Sequence, residues 1–186
     1  MSTGSLKVYM ARVFSAVDIE DKKLLNRLED IRETLNLGFN PVKKEKMHIT
    51  LEFFEDINEE ELEKVKKAMN EVDIESFDAD VKGIGVFPSK EYIRVVWAGL
   101  ESAKFQDLYK EVSNHPVESS NDHDFRPHIT LMRVKSPSKE QKKKLKRTIR
   151  EFENKEFGKL NVDNCKLFES HLDGKNKYRL LHKKEL

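Results

Sequence analysis

The sequence predicts an α+β fold: strand-like segments alternate with charged amphipathic helices, one strand-helix-strand-helix run is echoed later in the chain, and the same tetrapeptide lies on a strand of each run. A repeat of this kind implies a bilobal architecture. Two antiparallel sheets related by a pseudo-twofold axis would line a central cleft, with helices on the outside. The 186 residues carry 35 basic and 34 acidic side chains at a mean hydropathy of −0.72, the composition of one soluble globular unit. We place it at residues 6–186 as a single bilobal domain, since residues 1–5 have no period and are expected to be disordered.

The first strand is expected over residues 8–17, a β-branched and aromatic stretch too short for a helix. From Asp21, apolar residues recur at Leu24, Leu28, Ile31 and Leu35, which predicts a helix stopped by Gly38. A loop with Pro41 and the basic cluster Lys43, Lys44 and Lys46 leads into a second strand over residues 47–54. Asn58, with Glu61 three positions on, predicts a capped second helix with a stripe of Leu62, Val65, Met69 and Val72. Residues 77–86 and 92–98 read as a hairpin about the Pro88-Ser89-Lys90 turn. Ser102 is expected to cap a third helix with stripe Phe105, Leu108, Tyr109 and Val112. Residues 125–134 read as another strand. Pro137 and Ser138 then open a fourth helix carrying Leu145, Ile149 and Phe152, and three short strands close the chain near 157–162, 166–168 and 178–181.

Composition excludes several function classes. No apolar run approaches the roughly 18 residues that span a bilayer, so a membrane role is not expected and the protein reads as cytoplasmic. The single cysteine, Cys165, allows no internal disulfide and reads as a small buried apolar residue. A net charge of +1 cannot coat a surface for nonspecific nucleic-acid binding, so an anionic ligand must be held by a local patch. No HExxH or tight His/Asp cluster appears, even near Glu52, Glu55 and Asp56, and neither metal nor cofactor is expected.

The chemistry is carried by His48-Ile49-Thr50-Leu51 and His128-Ile129-Thr130-Leu131. Residues two apart on a strand share a face, so each histidine looks the same way as its threonine while isoleucine and leucine anchor the other face. Two such strands facing one cleft give two imidazoles and two hydroxyls about a pseudo-twofold axis, a pocket suited to a phosphate. With a reference pKa of about 6.5, one imidazole can act as neutral base while the other acts as charged acid. A threonine hydroxyl beside each ring can donate to a nonbridging phosphoryl oxygen. Spacing does not say which histidine is acid and which is base. His115, His123, His171 and His182 lack a motif and read as structural or solvent-exposed. The basic cluster 43–46 reads either as a support for an RNA backbone or as a solvated loop, the run 142–147 as a solvent-facing helix surface, and Phe14 as a core residue before a base-stacking one.

The paired motifs resemble those of the 2H phosphoesterases, specifically the RNA 2′,3′-cyclic phosphodiesterases once called 2′-5′ RNA ligases. The likeness extends to Arg12-Val13-Phe14-Ser15-Ala16, Gly85-Val86-Phe87-Pro88-Ser89, Phe125-Arg126-Pro127-His128, and Leu167-Phe168-Glu169-Ser170 with Gly174 and Tyr178. The resemblance implies metal-independent hydrolysis of a terminal 2′,3′-cyclic phosphate on RNA to a 2′-phosphomonoester, with weak reverse 2′-5′ ligation. It implies His48 as proton donor to the leaving oxygen, His128 as the base that activates water, and a monomeric protein acting on RNA ends, tRNA-derived ones included, or on small nucleotides. It also implies Arg133 as a phosphate ligand beside Thr50 and Thr130. In an unbroken strand, however, Arg133 shares the face of Ile129 and Leu131, and reaches the phosphate only if the strand ends or bulges first. Two other readings stand beside this one: a nucleotide- or RNA-binding module without turnover, and a phosphodiesterase for another small cyclic or 2′-5′-linked nucleotide.

Overall fold

The computed structural model describes residues 10–121, 124–170 and 178–186. Its element order is β1 (Ala11–Asp18), α1 (Lys22–Leu35), β2 (Asn40–Pro41), a 3-10 turn (Lys44–Lys46), β3 (His48–Ile57), α2 (Glu59–Glu71), β4 (Phe77–Pro88), β5 (Ile93–Glu101), α3 (Lys104–Val112), β6 (His128–Arg133), α4 (Lys139–Glu151), β7 (Glu156–Val162), β8 (Asn164–Glu169) and β9 (Arg179–Glu185).

Local chemistry explains where the helices begin. The Asp21 carboxylate accepts from the Lys23 and Leu24 amides, and the Asn58–Glu61 and Ser138–Gln141 pairs form reciprocal capping boxes. The third helix departs from the sequence expectation: Ala103 occupies its N-cap position with no side-chain cap, and Ser102 contributes only its carbonyl, which accepts from the Phe105 amide. The expected stripes of α1 and α2 are buried throughout. On α3, Tyr109 is only partly buried, and its ring stacks on Phe125 at 4.4 Å. Phe152 lies just past the end of α4 as its C-cap residue. The strand expected over 125–134 forms only at His128–Arg133, whereas the two-residue β2 carried no sequence signal.

The strands form two antiparallel sheets, one in the order β3-β1-β8-β9 and the other β2-β6-β5-β4-β7. In the first, β1 pairs with β3; in the second, β5 pairs with β6. The runs β1-α1-β3-α2 and β5-α3-β6-α4 are therefore pseudo-twofold repeats, as the sequence predicts. The helices following the first strands cross over: α1 packs on β6, β7 and α4 of the second lobe, while α3 packs on β3 and α2 of the first. Each lobe's sheet thus rests partly on the other half's helix. Apolar residues from both lobes accordingly form one core cluster.

Both motif strands break their pairing at the same place. Ser15 pairs with Glu52 and Ala16 with Thr50, leaving Leu51 as an extra residue; Val96 pairs with Met132 and Trp97 with Thr130, leaving Leu131 extra. A bulge lets two successive residues face one side. Leu51 and Glu52 are accordingly both buried, as are Leu131 and Met132. The carbonyls of the extra leucines are held from outside, Leu51's by the Asn121 side-chain amide at 3.0 Å and Leu131's by the Val42 amide at 2.9 Å. Asn121 also accepts from the Phe53 amide at 3.1 Å, so one side chain straddles the first bulge.

On the second sheet, Trp97 lies flat across Gly85, where an added Cβ would sit 2.2 Å from the indole ring. Gly85→Ala is therefore expected to destabilise the protein by about 1–3 kcal/mol, since a well-packed core resists an extra carbon. Thermal denaturation of this variant checks it; an unchanged midpoint would contradict the contact.

Candidate active site

His48 and His128 each open their strand, preceded by a chain segment that turns in from a loop, and this start fixes their environment. His48 Nδ1 lies 2.9 Å from the Lys46 carbonyl, and His128 Nδ1 lies 2.7 Å from the Arg126 carbonyl, in both cases two residues back. A carbonyl can only accept, so each Nδ1 carries the proton and donates it. Each neutral ring is thereby left with its Nε2 lone pair for chemistry. Aromatic rings complete the setting: Phe14 stacks on His48 at 4.9 Å with Tyr178 edge-on at 5.6 Å, and Phe87 meets His128 edge-on at 5.0 Å with Trp97 at 6.0 Å. Phe14 is buried, which agrees with its core reading, but the partner it packs against is the motif histidine.

A cavity of about 700 Å³ is lined by His48, Thr50, His128, Thr130 and Arg133 together. The structure thus gathers every site residue expected from the sequence. Arg133 arrives through the bulge at Leu131, which shifts the strand's parity so that Met132 turns into the core and Arg133 out of it. The matching residue of β3 is Phe53, covered at 5.2 Å by the Arg12 guanidinium. The second lobe therefore carries a basic residue where the first carries an aromatic one.

Burial pushes His48 down to about 4, against the Lys46 carbonyl and the Asp18 carboxylate, which favour its charged form; the His128 and Arg133 charges act in the same direction as burial. His128 is also held below the ordinary imidazole range, first by burial and then by the Arg126 cation, with the Arg126 carbonyl opposing. At neutral pH the free protein therefore presents two neutral rings.

Sequence reasoning missed Asp18, which pairs with His48 in the β1–β3 register and lines the cavity. It is held by the Lys166 ammonium at 3.0 Å, which also reaches Glu20 at 2.8 Å. No local pattern marks Asp18, because its role comes from strand register across the sheet. The basic cluster separates: Lys43 and Lys46 line the cavity, while Lys44 turns away to Glu29 at 2.8 Å and Asn26 at 2.9 Å. Of the run 142–147, Lys143, Lys144 and Arg147 are exposed. His115 is a buried structural residue whose Nδ1 accepts from the Val117 amide, so its Nε2–H donates to Glu52 at 3.0 Å. His182 bonds Asn70 on the outside of the fold, and burial holds the Cys165 thiol up at about 12. His123, His171 and Gly174 lie outside the described residues, as do residues 1–5. Among the described residues no three His, Cys, Asp or Glu side chains converge as a metal site, and no helix is long and apolar enough to cross a membrane.

Two interlocked lobes that turn a duplicated His-x-Thr-Leu strand toward one cavity have the architecture of a 2H phosphoesterase. A family model described as LigT-like phosphoesterase matches residues 17–97 and 101–178, and the chain belongs to that family. It is 33% identical over 168 residues to a protein of Methanothermobacter thermautotrophicus named RNA 2′,3′-cyclic phosphodiesterase, covering 87% of this chain and 90% of the relative. A Methanocaldococcus jannaschii protein of the same name is 31% identical over 165 residues, covering 87% and 92%. Among solved structures, the apo form of Escherichia coli LigT superposes with a TM-score of 0.73 at 20% identity, covering 95% of this chain and 97% of that one, a likeness of fold. A Thermus thermophilus structure gives 0.73 at 26% identity, covering 94% and 97%.

The hydrogen bonds to Lys46 and Arg126 fix the tautomers. Nitrogen-15 correlation spectra at pH 7 are expected to show both motif rings neutral with the proton on Nδ1. A proton on Nε2 of either ring would contradict the geometry.

Proposed function

We propose that this protein hydrolyses terminal 2′,3′-cyclic phosphates on RNA to 2′-phosphomonoesters, using His48 and His128 as a proton-transfer pair. The observation that carries the reading is the pair of Nε2 lone pairs left free, by two equivalent Nδ1–H bonds, at one cavity that also holds Arg133. The names of its relatives support the same substrate.

His128 Nε2 takes a proton from water as the water oxygen bonds to phosphorus. The phosphorus bond to the ribose 3′ oxygen breaks, and His48, protonated at Nε2, delivers its proton to that oxygen. One proton has moved from each side, and exchange with solvent restores the starting pair. The role assignment is the one the family resemblance implies; Asp18 favours an imidazolium at His48 and Arg126 opposes one at His128, while burial and Arg133 work against the charge on His48. A bound phosphate anion would also neutralise Arg133, which otherwise disfavours a proton on His48. Arg133 and the Thr50 and Thr130 hydroxyls are donors for the nonbridging oxygens, where charge accumulates in the transition state. With a ribose 5′ hydroxyl in place of water the same steps join two ends: His128 takes the hydroxyl proton as its oxygen bonds to phosphorus, the bond to the 3′ oxygen breaks and His48 protonates that oxygen, giving weak 2′-5′ ligation.

His48→Ala and His128→Ala are each expected to lower kcat by about a hundredfold or more while retaining the thermal transition, because each removes general acid or base catalysis. Turnover by both variants at the wild-type rate would overturn the assignment, and turnover is expected to survive excess EDTA. The pH dependence follows from the sign of the shifts. Catalysis needs one ring charged and one neutral, and both titrate below the usual 6.5, so kcat/KM is expected to peak below pH 6.5 and fall as the pH rises through neutrality. The kcat profile is expected at higher pH, because the bound anion favours protonation. A kcat/KM maximum above pH 7.5 would contradict this account.

A further inference from the structure

We propose that Lys43 and Lys46 form a second anion subsite, for the phosphodiester immediately upstream of the reacting end, so that the site selects an RNA strand end over a free nucleoside 2′,3′-cyclic phosphate; this rests on the reading of the cavity given above. The segment carrying these lysines is a fixed bridge between the lobes. Asn40 and Pro41 pair with Arg133 and Met132 of the second sheet, the Val42 amide bonds the Leu131 carbonyl at 2.9 Å, and the Arg32 guanidinium holds the Val42 carbonyl at 2.6 Å. The chain then passes through the 3-10 turn, pinned to α1 by Lys44, and enters β3 at His48. With Lys44 directed at Asn26 and Glu29, the turn leaves Lys43 and Lys46 on the cavity wall.

Lys43 and Lys46 are, among the described residues, the lysines that line this cavity. Among the described residues, Lys43 and Lys46 have no acidic partner within ion-pair distance, and the Lys46 ammonium instead lies 5.5 Å from the Tyr178 ring centre. Two carboxylates share the cavity wall: Asp18 is bound to Lys166, and Glu45 is paired with neither lysine. Arg133, which lines the cavity with both histidines, supplies a cation for the reacting phosphate. Two further unpaired cations, in a cavity of about 700 Å³, call for a second anion.

The location identifies which anion. Lys46 lies two residues before His48, whose ring bonds its carbonyl, and Lys43 stands at the start of the 3-10 turn that leads there, so the pair lines the approach to the ring that protonates the leaving ribose oxygen, where the ribose and the strand leading to it lie. The His128 end holds Arg126 laid over Trp97 at 4.9 Å and faces the attacking water. An upstream phosphodiester is the anion that an RNA strand brings to the His48 side. A nucleoside 2′,3′-cyclic monophosphate has none.

The test compares uridine 2′,3′-cyclic monophosphate with the dinucleotide UpU ending in a 2′,3′-cyclic phosphate, for wild type and for the double variant Lys43→Gln/Lys46→Gln. Wild type is expected to prefer the dinucleotide, with the steeper loss of kcat/KM as salt rises. In the double variant the dinucleotide value is expected to fall about tenfold further than the mononucleotide value, and Lys43→Arg/Lys46→Arg to restore the preference. No preference in wild type, or an equal loss on both substrates, would overturn the subsite. Affinity for UpU ending in a 2′-phosphate, titrated against uridine 2′-monophosphate, reads the subsite without turnover. If wild type hydrolyses neither cyclic substrate, the proposed activity fails, while a dinucleotide affinity that drops in the double variant would still support the subsite and an unchanged one would overturn it.

Discussion

Two short hydrogen bonds, from Nδ1 of His48 to the Lys46 carbonyl and from Nδ1 of His128 to the Arg126 carbonyl, set the terms for the rest of the site. They fix each ring's tautomer, hold its plane against aromatic neighbours, and leave each Nε2 lone pair free. Each depends on the histidine being the first residue of its strand, because only there does the preceding chain turn back far enough for the carbonyl two residues earlier to meet the ring. The two loops that enter the motif strands are therefore part of the site. The cross-packing of α1 and α3 onto opposite lobes joins these strands through a single core, so that the two rings are held in one frame.

Much of this was legible from the residues. Helix caps at Asn58 and Ser138, the apolar stripes of α1 and α2, and the hairpin of β4 and β5 are local signals, and local chemistry decides them. The duplicated motif revealed the pseudo-twofold relation because the side-chain period of two makes His and Thr a shared face. Arg133 was ambiguous for the same reason. Strand parity placed it on the wrong face, and the bulge at Leu131 that reverses this depends on the Val42 amide, donated by a segment about ninety positions away in the chain. Asp18 was invisible because strand register alone brings it to His48. Ser102 precedes α3 as expected, but its hydroxyl makes no capping bond and only its carbonyl accepts, from the Phe105 amide.

The repeat is also broken at the site. A true twofold site would give both imidazoles the same proton affinity, and a pair that must divide into acid and base gains from a difference. Burial lowers both and takes His48 down to about 4; the Asp18 carboxylate and the Arg133 guanidinium pull His48 in opposite directions, whereas His128 meets the Arg126 guanidinium. At the position after each bulge, Arg133 of one lobe corresponds to Phe53 of the other. Unpaired Lys43 and Lys46 extend that positive potential along the chain that enters β3, within a protein whose net charge is only +1. A sited patch of this kind gives an anion a direction in which to bind, which a uniformly basic surface does not.

The central claim is that this asymmetric pair of histidines opens a cyclic phosphate by expelling the ribose 3′ oxygen. Phosphorus NMR of the purified protein with a short RNA ending in a 2′,3′-cyclic phosphate tests it directly, since the two phosphomonoester products resonate apart. Conversion to the 2′-phosphate alone is the predicted result. Accumulation of the 3′-phosphate, or persistence of the cyclic ester in the presence of active-site-intact protein, would contradict the account.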